Sequence, residues 1–261
     1  MVILVLLVFG LIWGSFVNAF VWRLHEGKDW LRGRSECTHC HHKLATADLI
    51  PVISWVLLSG KCRYCHKRID DSPIVEVSVP ILFVISYLLW PLQLSGAGLF
   101  QFILWLAFIV GFIILTVYDI RWYLLPDKVV FPFTGLAILQ VLSLLVFYHS
   151  SWHTALSAVV GALIIAGSFY LMFQISKGSW IGGGDVKLGV LLGLLAGGPL
   201  QALLLLFVAS MSGTIFAIPM LVSGRAKAKT MVPFGPFLLL AMVIVQLFGT
   251  SIINWYTHIS I

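Results

Sequence analysis

The sequence predicts an all-α polytopic membrane protein of about eight transmembrane helices, with one small cysteine-bearing loop domain between the first two. Three observations predict it. The chain is 60% hydrophobic and only 10% charged, with mean hydropathy +1.04, whereas soluble domains carry about 25% charged residues. Its apolar runs reach the roughly 17–25 residues that a helix needs to cross the hydrocarbon core. All four cysteines fall in one polar stretch, 25–73.

The first run, 2–22, has no basic segment before it and no small-residue cleavage site, so it reads as a retained span and not a signal peptide. After the polar loop, spans are expected near 74–92, 99–118, 129–148, 154–175, 186–197, 200–222 and 232–254. The sixth, KLGVLLGLLAGG, is short and Gly-rich and reads as a half-helix or a tilted span. The chain thus divides into a first transmembrane helix (1–24), a loop domain (25–73) and a transmembrane domain (74–261).

Basic residues orient these spans, because Lys and Arg collect on the cytoplasmic side. With 25–73 inside, Arg23, Lys28, Arg32, Arg34, Lys43, Lys61, Arg63, Lys67 and Arg68 lie in or beside the first inner loop. Arg121 and Lys128 fall in the second inner loop, Lys177 and Lys187 flank the third, and Arg225, Lys227 and Lys229 lie in the fourth. All 16 basic residues then sit on one side. Both termini are expected outside. The sequence pI near 9.3 reads as topology and not as nucleic-acid binding.

The cysteines form two C-x-x-C pairs, Cys37 with Cys40 and Cys62 with Cys65, separated by 21 residues. CTHCHHKL and CRYCHKRI read as two copies of one knuckle. Two such pairs suit a four-thiolate, structural zinc site. Disulfides are the alternative, but they are rare in the reducing cytosol where the charge rule puts this loop. A loop of about 50 residues has too little core to fold unaided, and an ion would supply that stability. The neighbouring His39, His41, His42 and His66 read as solvated or supporting groups and not as ligands.

Past residue 76 the chain has three acidic side chains, Asp119, Asp127 and Asp185. Ionisable residues beside apolar spans point to function by default. Asp119 ends the third apolar run, where the helix macrodipole disfavours negative charge, so a capping role does not explain it. Asp185 follows Gly182-Gly183-Gly184; an N-cap would explain the Asp but not three glycines at a membrane interface. Asp127 follows Pro126, and a cap or turn explains it. Two neighbouring carboxylates without a catalytic metal can share a proton and activate water, as in aspartic proteases. A proton-coupled transporter would use the same residues but place them nearer mid-membrane.

At this point the chain resembles the bacterial prepilin peptidases, the bifunctional leader peptidases and N-methyltransferases of type IV pili, type II secretion and competence pseudopili. The resemblance covers essentially the whole chain. GSFVNAFVWRL at 14–24 is similar to the family's N-terminal signature, with Ala19 where Val is usual. The two C-x-x-C pairs follow, then SPIVE at 72–76, the D-x6-P-D spacing from Asp119 to Asp127, G-x-G-D-x-K-L from Gly182 to Leu188, and VPFGPFL at 232–238. The resemblance implies that Asp119 and Asp185 are the catalytic pair of a G-x-G-D intramembrane aspartic peptidase in the bacterial cytoplasmic membrane. It implies prepilin or pseudopilin substrates, cut after a glycine at the cytoplasmic face, and methylation of the new N-terminus with S-adenosylmethionine. A peptidase of the same kind acting on other membrane segments is the second enzymatic reading.

The same motifs single out supporting positions. Asn18 is expected either to bond a neighbouring helix or to serve methyl transfer, and Arg23 to do so or to snorkel. Glu76 suits the start of the second helix or a role in methyl transfer. Gly60 would shape the knuckle or a cofactor surface. Gly182 and Gly184 frame Asp185. Lys187 would orient substrate or tune Asp185, though it also fits the charge pattern. Pro233, Gly235 and Pro236 are expected to break the start of the last helix.

Overall fold

The computed structural model describes residues 1–29, 33–69, 71–147, 150–223 and 232–259. Arg32, Arg225, Lys227 and Lys229 of the charge argument lie outside the described residues. Nine α-helices occur among the described residues: α1 (Val2–His25), α2 (Ile53–Leu57), α3 (Pro73–Leu88), α4 (Gly96–Trp122), α5 (Asp127–Phe147), α6 (Trp152–Ser176), α7 (Gly183–Ala196), α8 (Pro199–Val222) and α9 (Gly235–Ile259). The described residues form no strand, only isolated bridges between Glu36 and Lys43 and between Lys61 and Arg68. Six of the helices, α1, α4, α5, α6, α8 and α9, are long and apolar enough to cross a membrane. α3 and α7, with 16 and 14 residues, are shorter.

The chain forms two compact units, residues 1–90 with 106–117, and residues 91–105 with 118–261. In the first unit α1 and α3 pair closely. Gly10 and Gly14 are four residues apart on α1, the small-residue spacing that lets helix backbones approach. Gly10 meets Pro80 and Gly14 meets Glu76. Phe9 and Phe83 pack beside this seam with ring centroids 6.2 Å apart, and Val17, Val21, Val79 and Phe83 are fully buried. α3 begins where Ser72 accepts the Ile74 N–H, with Pro73 in its first turn. A side chain at Gly14 would put its Cβ 2.7 Å from Glu76 Cα. Gly14→Ala should therefore destabilise the first unit by about 1–3 kcal/mol, as overpacking does. Chemical unfolding in detergent measures this, and an unchanged midpoint would show that the pair gives way freely.

In the second unit α7 is the hub, packed against α5, α6, α8 and α9. Its closest partner is α6. Gly189 faces Ala166, and Gly193 faces Ala162 and the Gly161 carbonyl, so α7 carries a second four-residue glycine spacing. Leu188, Leu191 and Leu192 fill the space around it. The glycines that make this segment look weak as a span are what allow it to sit among four helices. Gln101 donates to Ser143 at 2.7 Å in the same unit, satisfying two buried polar side chains.

Candidate active site and metal centre

Asp119 lies in the last turn of α4, which ends at Tyr123 in the left-handed conformation, its N–H bonded to the Asp119 carbonyl at 2.8 Å. The side chain is buried, 6% exposed, and accepts the Gly235 N–H at 3.1 Å. Gly235 opens α9. The carboxylate is at the unfavourable end of its own helix and at the favourable, positive end of another. The close approach needs glycine: a Cβ at 235 would stand 2.5 Å from Asp119 Oδ2. Pro233 precedes this turn and Pro236 lies within the first turn of α9, where the missing N–H costs nothing.

Asp185 lies in the first turn of α7, whose N-cap is Gly182; its N–H donates to the Gly182 carbonyl at 3.1 Å. Asp185 is therefore not the cap that a bland reading would make it. Gly182, Gly183 and Gly184 do not need left-handed backbone. Gly184 packs closely, with a Cβ there falling 3.1 Å from Leu125 Cβ. Gly182 and Gly183 have more open surroundings, their nearest neighbours being 3.8 and 3.9 Å from such a Cβ. Leu125 also faces Gly235, so one leucine lies against both the turn that carries Asp185 and the turn whose amide bonds Asp119. Nothing in its motif marked Leu125 beforehand; its only signal is its place between Asp119 and Asp127.

Lys187 pairs with Asp127, not with Asp185: its ammonium donates to both Asp127 carboxylate oxygens, at 2.7 and 2.8 Å. This joins the start of α5 to the first turns of α7. Both side chains are about half exposed. Exposed ion pairs are worth only about 0–1 kcal/mol. A double-mutant cycle with Lys187→Ala and Asp127→Ala should give a coupling of about 0.5 kcal/mol in unfolding. A coupling of several kcal/mol would mean that the pair braces the site far more than its exposure suggests.

The cysteine region repeats itself in three dimensions. In the first knuckle Cys37 N–H bonds the His42 carbonyl at 3.0 Å and His41 N–H bonds the Cys37 carbonyl at 2.9 Å. In the second, Cys62 bonds Lys67 at 2.8 Å and His66 bonds Cys62 at 2.9 Å. His41 and His66 both take positive φ, closing each turn. The four Sγ atoms lie within 4.8 Å of one another, and Cys37 and Cys65 are 3.8 Å apart. A tetrahedral ion with sulfur at about 2.3 Å would set sulfurs near 3.8 Å apart, so the donor set fits zinc. All four cysteines are free of disulfides. Burial raises the Cys37 thiol, but the Cys40 and His39 backbone amides outweigh it and pull it down to about 7.

Side chains beside the cysteines hold the knuckles together. His42 stacks on Tyr64 with centroids 3.7 Å apart, and His39 Nε2 lies 3.2 Å from the Arg68 carbonyl. Asp48, in the 3-10 turn Thr46–Leu49, accepts from Arg63 at 2.7 Å, from Tyr64 at 3.2 Å and from Ala45 N–H at 3.1 Å. Burial pushes the Asp48 carboxyl up, but these partners hold it below the usual carboxylate range. Its stabilising effect is thus present above the ordinary value near ~3.9 and is lost as pH falls through the lowered one.

The remaining predicted residues gather in the first unit. Asn18 is buried, and among the described residues its Oδ1 has no hydrogen-bond partner. Arg23 donates to the Gly33 carbonyl at 3.0 Å. Glu76 accepts the Val52 N–H at 2.6 Å. Gly60, at φ +69°, ends the turn after α2, and a Cβ there would fall 3.0 Å from the Trp55 ring. Trp55 was not marked in the sequence; it lies in the spacer between the knuckles.

Comparison with known proteins agrees with both units. Residues 8–90 match the bacterial Peptidase A24 N-terminal domain, and residues 106–218 match the type IV leader peptidase family. Three similar proteins are named prepilin leader peptidase/N-methyltransferase. The one from Pseudomonas putida is 31% identical over 94% of this chain and 90% of its own length. The one from Aeromonas hydrophila is 30% identical over 95% and 91%, and the one from Bacillus subtilis is 28% identical over 98% of each. No solved structure gives a significant match. The two domain matches and these relatives together place the chain: it belongs to the type IV leader peptidase family, with the bacterial A24 domain at its N-terminal side.

Proposed function

We propose that this chain cleaves the basic leader of prepilins or pseudopilins at the cytoplasmic membrane face and then methylates the new N-terminus with S-adenosylmethionine. The observation that carries the peptidase reading is the buried Asp119 carboxylate, held by the Gly235 amide in the unit that also carries Asp185. One carboxylate takes a proton from the attacking water while the other gives its proton to the scissile carbonyl; the first then passes the proton it took to the leaving amine, as the second recovers its own from the collapsing gem-diol. The two titrate as a pair, so neither is fixed as acid or base. The Gly235 N–H steadies one Asp119 oxygen, and among the described residues no hydrogen bond holds the other. The open surroundings of Gly182 and Gly183 suit an extended substrate backbone passing beside Asp185.

The test is a prepilin incubated with the purified wild type, Asp119→Asn and Asp185→Asn, read by mass spectrometry. Either single variant cleaving at the wild-type rate would sink the dyad. A wild type that cleaves yet never adds one methyl group in the presence of S-adenosylmethionine would remove the second activity.

The membrane arrangement belongs to the same proposal. α3 and α7 act as short spans beside the six long ones, giving eight, with 1–24 as the first helix, 25–73 as the cytoplasmic domain and 74–261 as the peptidase domain. A 14-residue helix rises about 21 Å, less than a typical hydrocarbon core, so α7 must be accommodated by its protein neighbours or a thinned bilayer. The eight-span order keeps every basic residue inside and both termini outside.

Cys37, Cys40, Cys62 and Cys65 would hold one structural zinc ion, whose closed four-thiolate shell leaves no position for substrate. Elemental analysis should find about one zinc per chain, and Cys62→Ser should bind it far more weakly, because structural sites couple metal binding to folding. A fully active, metal-free preparation would overturn the requirement.

A further inference from the structure

Between the two knuckles, residues 49–58 read LIPVISWVLL: none is charged, and Ser54 alone is polar. An apolar run of about 10–14 residues is too short to span a bilayer and suits an interfacial segment. α2 (Ile53–Leu57) lies at its centre and is apolar on both sides. Trp55 and Leu58 wall a cavity of ≈ 160 Å³ together with Asn18, Ala19 and Trp22 of α1. Ile53, Val56 and Leu57 stand at the i, i+3 and i+4 positions of one face and are 55%, 60% and 77% exposed. A helix that is apolar all round is normally covered on every side, yet among the described residues nothing covers this face.

The α1–α3 pairing sets the level of that face along the span. Gly10 meets Pro80 and Gly14 meets Glu76, an antiparallel register that brings Pro73 level with Val17. α1 continues to His25, rising about 12 Å beyond that level. It carries no charged residue before Arg23, so its apolar length ends in the turn Asn18–Trp22. That is the turn beside Trp55 and Leu58. Val52 N–H donates to Glu76 at 2.6 Å, tying the segment to the first turn of α3. Val52 takes φ +61°, which β-branched residues rarely adopt, and the bond to Glu76 holds the turn that starts α2. The exposed apolar face therefore lies where the apolar length of α1 gives way to charge. Just past it the second knuckle exposes Lys61, Lys67 and Arg68, with Lys61 and Arg68 bridged.

We propose that residues 49–58 are an interfacial anchor, by which the cysteine domain inserts into the phospholipid leaflet at the Arg23 end of α1; the inference rests on α1 being a span. Ile53, Val56 and Leu57 enter roughly 5–10 Å into the boundary between headgroups and acyl chains, the depth usual for such segments. Lys61, Lys67 and Arg68 then stand at headgroup level, where anionic phospholipid attracts them. A protein partner would also suit an apolar face, but the level of this one, beside the last apolar turn of α1, puts lipid against it. The domain is then held at three places, the end of α1, the start of α3 and this anchor, so the knuckles keep a fixed height and direction over the bilayer. A stretch that hydropathy alone leaves in a polar loop becomes part of the membrane-embedded protein.

The experiment uses the full chain in vesicles of phosphatidylglycerol and phosphatidylcholine. A photoreactive p-benzoylphenylalanine takes the place of Leu57, Ile12 or Lys67, one at a time, and the products of irradiation are identified by mass spectrometry. Ile12, 59% exposed on α1, reports how a span meets lipid, and Lys67 reports the cationic side of the domain. Helix content and a single elution peak in detergent show that each variant is folded, and Val56 serves in place of Leu57 if that variant is not. Phospholipid adducts should form at 57 as they do at 12, and be lost at 67. Lipid adducts at 12 with none at 57 overturn the anchor alone, and adducts at 67 as abundant as at 57 overturn its direction. Covalent dimers through 57, or adducts to added prepilin that replace those to lipid, give the face to a second copy or to the substrate and overturn the anchor too. Lipid adducts at neither 12 nor 57 remove the underlying span reading as well.

Discussion

Asp119→Asn and Asp185→Asn should each lower prepilin cleavage by about 10³-fold or more, within the range that positioned acid–base groups supply. Asn keeps the shape of the carboxylate and removes its ability to carry or give up the shared proton. At Asp119 the amide oxygen can still accept the Gly235 N–H, so the α4–α9 junction should survive and the variant should unfold much as the wild type does. At Asp185 the side chain is only partly buried, and its backbone contact to Gly182 does not depend on the carboxyl. The loss should thus appear in kcat with little change in stability. Residues acting as one unit are strongly non-additive, so the double variant should be scarcely worse than either single one. Additive losses would mean that the two aspartates act in separate steps. Methylation of a product supplied already cleaved should be untouched, which separates the peptidase from the methyl-transfer site.

Much of this was legible in the sequence. Hydropathy marks spans because the bilayer leaves backbone groups no partner except within helices, and all eight expected segments are helical. The cysteine repeat was legible because a metal site fixes ligand spacing locally, and both knuckles show the same hydrogen bonds 25 residues apart. Asp119 stood out because a carboxylate at its helix end had no local explanation.

What was not legible depends on which helix meets which. The glycines of α1 look like ordinary span residues, and those of α7 like the mark of a weak span, until their partners, Pro80 and Ala162, are known. Lys187 sits two residues from Asp185 in sequence, yet on a helix such neighbours point apart, and its partner Asp127 is 60 residues away. Trp55 is an unremarked aromatic between two motifs, and only the folded chain sets its ring against Gly60. Local chemistry is written in short motifs; long-range pairing is not.

Gly235→Ala should cut kcat/KM for cleavage by about 10²-fold, the loss that follows when a catalytic group is displaced by roughly 1 Å. Gly235 is not in a left-handed conformation, so alanine costs nothing in backbone strain. The difficulty is space. The new Cβ would lie 2.5 Å from Asp119 Oδ2, 3.3 Å from its Cγ and 3.6 Å from Leu125 Cδ2. Either the carboxylate swings away and loses the Gly235 N–H, or the start of α9 moves back and takes that N–H with it. Both leave a buried carboxylate with one partner fewer, a stability cost of about 1–3 kcal/mol, and both turn it from its water. A suitable control is Gly167→Ala, because a Cβ there meets nothing within 4 Å; removing a helical glycine should leave cleavage intact and stability equal or better. The effect at 235 should fall on kcat more than on KM, because the displaced group acts on the reacting atoms and not on the remainder of the substrate. A Gly235→Ala enzyme with wild-type kcat would show that Asp119 needs neither this amide nor this position, and the site would have to be rebuilt around Asp185.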